Sequence, residues 1–197
     1  MRGFRALVPV VVWNELRGTG IRRDFKANET LLVEGAPDTS LLVLQRGRVR
    51  VLNSTLLVAV RGSGDVLGEM SAQDGGTRSA TVVAMESCVA FSLSRAAFKR
   101  VLERHKVGDQ LGQYVVAKLR ETVTEVSSRG TEARVRDVLE RIARLAETDH
   151  PKPLTIPLSQ SKLAESLGLS RNAVAKVLVQ LCDQNYLAST NPICLAE

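Results

Sequence analysis

The chain is poor in the residues that build metal and redox centres: it has two histidines and three cysteines. His105 and His150 have no ligand-spaced neighbour, and no Cys-x-x-Cys occurs, which argues against a metal or iron–sulfur site. Cys88, Cys182 and Cys194 are odd in number and far apart, a pattern that suits a reducing cytoplasm better than a disulfide framework. None has an evident basic partner or resolving neighbour, so a thiol redox sensor has little to stand on. Cys88, set among strand-like apolar residues, reads as a small buried hydrophobe. Nothing approaches the length of a membrane span. Ala6–Trp13 behind Arg2 and Arg5 imitates a signal peptide, but it is short, broken by Pro9 and without a small-residue cleavage site. Neither secretion nor a membrane partner is expected. There is no Ser-His-Asp set and no P-loop, so an enzyme is not expected either.

At 197 residues and 44% hydrophobic, the chain can bury one or two modest cores. A formal charge of +6 and a pI near 9.6 invite a nucleic-acid reading. The distribution narrows it. Residues 1–128 carry 18 Lys/Arg against 13 Asp/Glu, whereas 129–197 carry nine against eight. A DNA-binding C-terminal part must therefore work with a few placed cations, not a basic field.

From Phe25 to Leu93, short apolar runs alternate with turn residues. Thr30–Val33, Leu41–Leu44, Val49–Leu52, Leu56–Val60 and Thr81–Leu93 read as strands. Glu34-Gly35-Ala36-Pro37-Asp38, Arg46-Gly47-Arg48, Asn53-Ser54 and Arg61-Gly62-Ser63-Gly64-Asp65 separate them as turns. This spacing predicts a small β-barrel or roll. Ser94 then caps a helix over Ala96–Glu103. A longer helix runs from about Asp109 to Val126, with Val115, Leu119, Thr122 and Val126 as a narrow stripe that suits helix-to-helix dimerisation. Ser127–Thr131 reads as a hinge, followed by a helix over Glu132–Glu147. His150–Pro153 breaks that helix, and a short strand-like Leu154–Pro157 follows. The expected domains are 1–106, a β-roll; 107–128, a dimerisation helix; and 129–197, a DNA-binding unit.

The most informative segment is residues 68–82, Gly-Glu-Met-Ser-Ala-Gln-Asp-Gly-Gly-Thr-Arg-Ser-Ala-Thr-Val. Burying Glu69 and Arg78 is costly unless each meets a partner. A ligand with both a hydroxyl and a phosphate satisfies both: the carboxylate accepts from a ribose hydroxyl, and the guanidinium fork matches phosphate oxygens. The small residues between them read as a loop that lets the backbone approach, and the amides of Ser79 and Ala80 add anion-binding donors. The plainer alternative is an internal Glu69–Arg78 pair with no guest.

Residues 159–181 carry a second pattern. Ala164 is small where two helices cross, Gly168 sits where the turn needs a positive φ, and Ser170 caps the second helix. Val174, Val177 and Leu181 hold that helix against the first. Arg171, Asn172, Lys176 and Gln180 face outward, toward solvent or a major groove. Ser159 and Ser170, at the two helix starts, complete the candidate DNA-contacting set. Tyr186–Ser189 and Ile193–Ala196 flank Thr190-Asn191-Pro192 as a hairpin, so the module is winged.

Gly-Glu-x-x-Ala followed by Arg-Ser-Ala-Thr resembles the phosphate-binding cassette of cyclic-nucleotide-binding domains. Joined to a long helix and a winged helix-turn-helix, it resembles the catabolite activator / fumarate-nitrate regulator family of bacterial transcription factors. The likeness includes Asn28–Leu31 through Gly35, Leu41–Leu44 ending at Gly47, and Arg134–Leu139. It implies an α+β fold with a jelly-roll-like N-terminal domain. It also implies a cytoplasmic homodimer acting on a two-fold double-stranded DNA operator, with RNA polymerase as a further partner. The effector it implies is cyclic AMP, with cyclic GMP as the alternative; a non-nucleotide effector or constitutive DNA binding is the competing reading. By position, Glu69 matches the residue holding the ribose 2′-hydroxyl, Arg78 and Ser79 those holding the cyclic phosphate, and Gly68 the glycine admitting the sugar. Met70 and Ala80 flank this set. Thr122 falls where the adenine is touched, Val123 where a hydroxyl from the partner subunit is expected, and Thr124 is the alternative base contact. Arg171 matches a guanine-reading arginine. Asn172 and Lys176 replace the usual glutamate and arginine, which predicts an operator other than the enteric TGTGA-type half-site.

Overall fold

The computed structural model describes residues 3–125, 130–146 and 154–196, with side chains to Glu121 in the first stretch. The N-terminal half is two facing antiparallel sheets. One has the order β1-β8-β3-β6, from Ile21–Phe25, Cys88–Leu93, Leu41–Arg46 and Val66–Leu67. The other has the order β2-β7-β4-β5, from Thr30–Leu32, Thr81–Ala84, Val49–Asn53 and Leu56–Arg61. Period-two alternation sends Leu42, Leu44, Cys88 and Ala90 inward to meet Leu32, Val49, Val82 and Ala84. Cys88 is thus buried among apolar side chains, and its thiol is pushed up to about 11, chiefly by desolvation.

The opposite face of β3 and β8 presents Leu41, Val43 and Leu93 to helices. These are α1 (Val10–Thr19), α3 (Arg95–His105) and the start of α4 (Gly108–Glu125). Helix α1 contributes Val12, Trp13 and Leu16, all fully or nearly fully buried; the stretch that imitates a signal peptide runs into this helix and ends on its buried face. Ser94 caps α3 by accepting from the Ala97 amide at 3.2 Å.

Three expectations need correction. The run Thr81–Leu93 is two strands, because Met85-Glu86-Ser87 turn the chain from one sheet to the other. The segment after Gly68 is not a loop but a short helix, α2 (Glu69–Asp74), with left-handed glycines at φ 79° and 76° on either side. Val115 packs against the roll, so among the described residues the exposed large apolar side chains of α4 are Val116 and Leu119. Val126 and most of the expected hinge lie outside the described residues.

The C-terminal unit comprises α5 (Thr131–Arg144), α6 (Gln160–Leu167), α7 (Arg171–Asp183) and the hairpin β9 (Leu187–Thr190) and β10 (Ile193–Leu195). The expected strand at 154–157 reduces to one bridge, Thr155 to Cys194, with backbone bonds from Ile156 and Leu195 on either side. Val135, Leu139, Ile142, Leu163, Val174, Leu178 and Leu181 form its core. That core does not stop at the domain edge. Val60 of β5 and Met85 of the β7–β8 turn are part of it. Beside them, the fully buried Arg48 donates twice to Glu86 at 2.8 Å and once to the Ile142 carbonyl at 3.1 Å.

Candidate functional site

A cavity of about 350 Å³ lies between the β2-β7-β4-β5 sheet, α2 and α4, within the range of small-molecule sites. Leu32, Val51, Val58, Leu67 and Val82 make one wall apolar. Gly68, Glu69, Met70, Arg78, Ser79 and Ala80 all line it, so the structure brings together every cassette residue expected from the sequence. From α4 the described lining residues are Val115, Lys118 and Leu119. The side chains of Thr122, Val123 and Thr124 lie outside the described residues.

Arg78 is 3% exposed. Its Nη1 donates to the Gly68 carbonyl at 3.0 Å and to Ser71 Oγ at 2.7 Å. Its Nη2 donates to Asp38 Oδ2 at 2.8 Å and to the Ser40 carbonyl. Nε alone is buried without a partner. The carboxylate that meets Arg78 is therefore Asp38, on the β2–β3 loop, and not Glu69. Burial raises the Asp38 carboxyl, but hydrogen bonds from the Ser40 amide and hydroxyl and from Arg78 outweigh it and hold the group below its ordinary value. Gly68 is required by this arrangement: a Cβ there would stand 2.1 Å from Arg78 Nη1, on a backbone at φ 79°.

Glu69 opens α2 at the cavity wall. Desolvation pushes its carboxyl above the usual range, with nearby Arg61 and Lys118 opposing and Asp65 reinforcing the shift. These neighbours form a network that no sequence motif signals. Arg61 pairs with Glu121 at 3.0 Å, Lys118 lies 3.3 Å from Glu121 and 3.4 Å from Asp65, and Tyr114 donates to Asp65 at 2.9 Å. It joins the roll to α4 at the cavity's edge. No local motif announces Asp38, Arg61 or Lys118, because each meets the site from a separate element.

The second site is built as the sequence predicted. Gly168 takes φ 62° between α6 and α7. Ser159 and Ser170 each cap a helix, accepting from the Lys162 amide at 3.3 Å and the Ala173 amide at 3.2 Å. Arg171, Asn172, Lys176 and Gln180 are exposed, while Val174, Val177, Leu178 and Leu181 are buried. Gln160 donates to the Thr190 carbonyl at 3.0 Å, which ties α6 to the wing. Arg136 stacks 4.4 Å over Tyr186. Among the described residues no helix is long and apolar enough to cross a membrane.

Residues 22–105 match the cyclic nucleotide-binding domain, and residues 133–196 the Crp-like helix-turn-helix domain. A CRP-like cAMP-activated global transcriptional regulator of Mycobacterium tuberculosis is 25% identical, over 83% of this chain and 78% of that protein. The fold is similar to that of the c-di-GMP responsive global regulator CLP of Xanthomonas campestris, with a TM-score of 0.76 at 18% identity, covering 96% of this chain and 100% of that one. FixK2 from Bradyrhizobium japonicum gives a TM-score of 0.73 at 20% identity, covering 90% and 93%.

Proposed function

Because the chain belongs to the Crp family of DNA-binding transcription regulators, we propose that a cyclic nucleotide, cyclic AMP foremost, enters its β-roll and gates sequence-specific DNA binding by a cytoplasmic homodimer. The relatives are transcription regulators and not enzymes. One observation carries the nucleotide reading: in a cavity of ligand size that Glu69 also lines, the buried Arg78 guanidinium has its Nε lacking a partner. A phosphate oxygen accepting from Nε completes that guanidinium, and a ribose hydroxyl donates to Glu69. The Ser79 and Ala80 amides add donors for the phosphate, with Met70 alongside and Thr122, Val123 or Thr124 nearest the base. At about 0.3 kcal/mol per heavy atom, a ligand of about 22 atoms gains roughly 7 kcal/mol, which is micromolar binding.

The competing reading rests on a specific observation too. Asp38, Ser40, Ser71 and the Gly68 carbonyl already hold Arg78 from within, so the cassette is stable without a guest. One structural relative is named for c-di-GMP, so effector identity varies across this fold. Calorimetry with cyclic AMP, cyclic GMP and cyclic di-GMP separates these readings. Micromolar binding of cyclic AMP that weakens by about 1.5–3 kcal/mol in Arg78→Ala is expected. Unchanged affinity in that variant would move the site elsewhere, and no heat with any nucleotide would favour a non-nucleotide effector or constitutive binding.

On the DNA side, Arg171, Asn172, Lys176 and Gln180 enter the major groove. Each protomer of the two-fold pair supplies one α7, and RNA polymerase is the downstream partner. Binding-site selection is expected to return a half-site other than TGTGA, with affinity falling steeply as salt rises.

A further inference from the structure

Helix α7 carries one large apolar side chain that no core explains. Val174, Val177, Leu178 and Leu181 account for its buried face, but Val179 is 54% exposed. A β-branched residue there gains little from burial and is a poorer helix former than Lys, Gln or Arg. Its position is informative. Val179 lies seven residues after Asn172 and three after Lys176, so the three share one face. The partly exposed Ala175 stands one turn before it. The surrounding donors and two positive charges, Arg171 and Lys176, suit a polyanion and not an apolar protein surface. Asp183, exposed at the far end of α7, repels phosphates and bounds the contact on that side.

Among base edges in the major groove, the thymine C5-methyl is the apolar feature, and a valine offers nothing to the hydrogen-bonding positions. Resting on the DNA-binding reading of α7, we propose that Val179 reads a thymine methyl in the operator half-site, with Ala175 packed beside the same group. At 1.5 Å per residue, Val179 stands about 4.5 Å along the helix beyond Lys176 and about 10.5 Å beyond Asn172. The methyl therefore belongs to a base pair that Asn172 does not read. This adds an apolar letter to a half-site otherwise read by hydrogen bonds.

The test uses the full chain with saturating cyclic AMP and a half-site obtained by binding-site selection. Each thymine is replaced in turn by deoxyuridine, which removes only the methyl. Affinity for wild type is expected to fall about three- to fivefold at one position, the size of one methyl's burial. In Val179→Ala, an exposed change that favours the helix, that one difference vanishes while the deoxyuridine effects at other positions persist. Wild type indifferent to deoxyuridine everywhere, or Val179→Ala showing the wild-type pattern, would overturn the inference and leave DNA reading intact. Absence of any sequence-preferring complex would overturn both.

Discussion

Glu69 and Gly68 show how much a single residue carries in the cavity. A carboxyl raised by desolvation binds its proton more tightly in the folded state than in the unfolded one. The stability it lends is therefore present at acid pH and lost as pH rises through its folded value. Glu69→Gln removes the charge, so its melting temperature should exceed that of wild type by a margin that grows from pH 4 to pH 8, while nucleotide affinity weakens. A margin that stays flat across that range would mean the carboxyl titrates as if in solvent. Gly68→Ala attacks the neighbouring cation without touching its chemistry. The new Cβ would stand 2.1 Å from Arg78 Nη1 on a left-handed backbone, which costs about 1–2 kcal/mol before any clash. Nucleotide affinity, read by calorimetry, should fall at least as far as in Arg78→Ala, with the circular dichroism of the roll preserved.

The elements differ in how openly the sequence declared them. α7 was legible because its cap, its turn glycine and its apolar period all agree. Ser170→Ala should cost about 1 kcal/mol in urea denaturation, the usual worth of such a cap. The cassette was legible as chemistry but not as shape. Its Glu-Met-Ser-Ala-Gln-Asp stretch has no amphipathic period over six residues, so α2 looked like a loop. Strand β1 was hidden by its sheet-edge position, where Arg22, Arg23 and Asp24 stand in solvent and break the apolar pattern. Met85 concealed the break between β7 and β8, because it is buried in the neighbouring domain's core and reads as strand. Asp38 was invisible as the partner of Arg78, 40 residues away. Of the described stripe residues in α4, Leu119 stays exposed but Val115 does not: periodicity cannot say which apolar residues the roll itself consumes, and it takes Val115. Val116, 49% exposed and absent from the cavity wall, is left for a partner helix. Val116→Glu should shift the proposed dimer to monomer in sedimentation at micromolar concentration while the roll stays folded. A dimer that survives would place the interface elsewhere.

At the scale of the whole molecule, strand β5 has two employers. Val58 and Arg61 line the cavity, whereas Val60 belongs to the core of the helix-turn-helix unit and Leu57 packs against it. The cavity and the core of the helix-turn-helix unit are thus separated by one strand. A nucleotide changes DNA affinity only if it binds two arrangements of the domains unequally, and the shared strand β5 predicts a route for such a difference. Typical couplings of about 1–3 kcal/mol predict that nucleotide raises operator affinity roughly 5- to 150-fold in wild type. Val60→Ala trims the side chain on the reading-head side and leaves the cavity wall in place. Nucleotide affinity should therefore stay within about threefold, while the nucleotide-dependent gain in operator affinity shrinks. Fluorescence anisotropy on labelled operator, with and without saturating nucleotide, measures that gain. If Val60→Ala retains the full wild-type gain, the coupling runs instead through α4, where Arg61–Glu121 and Lys118–Asp65 tie the cavity's edge to the long helix.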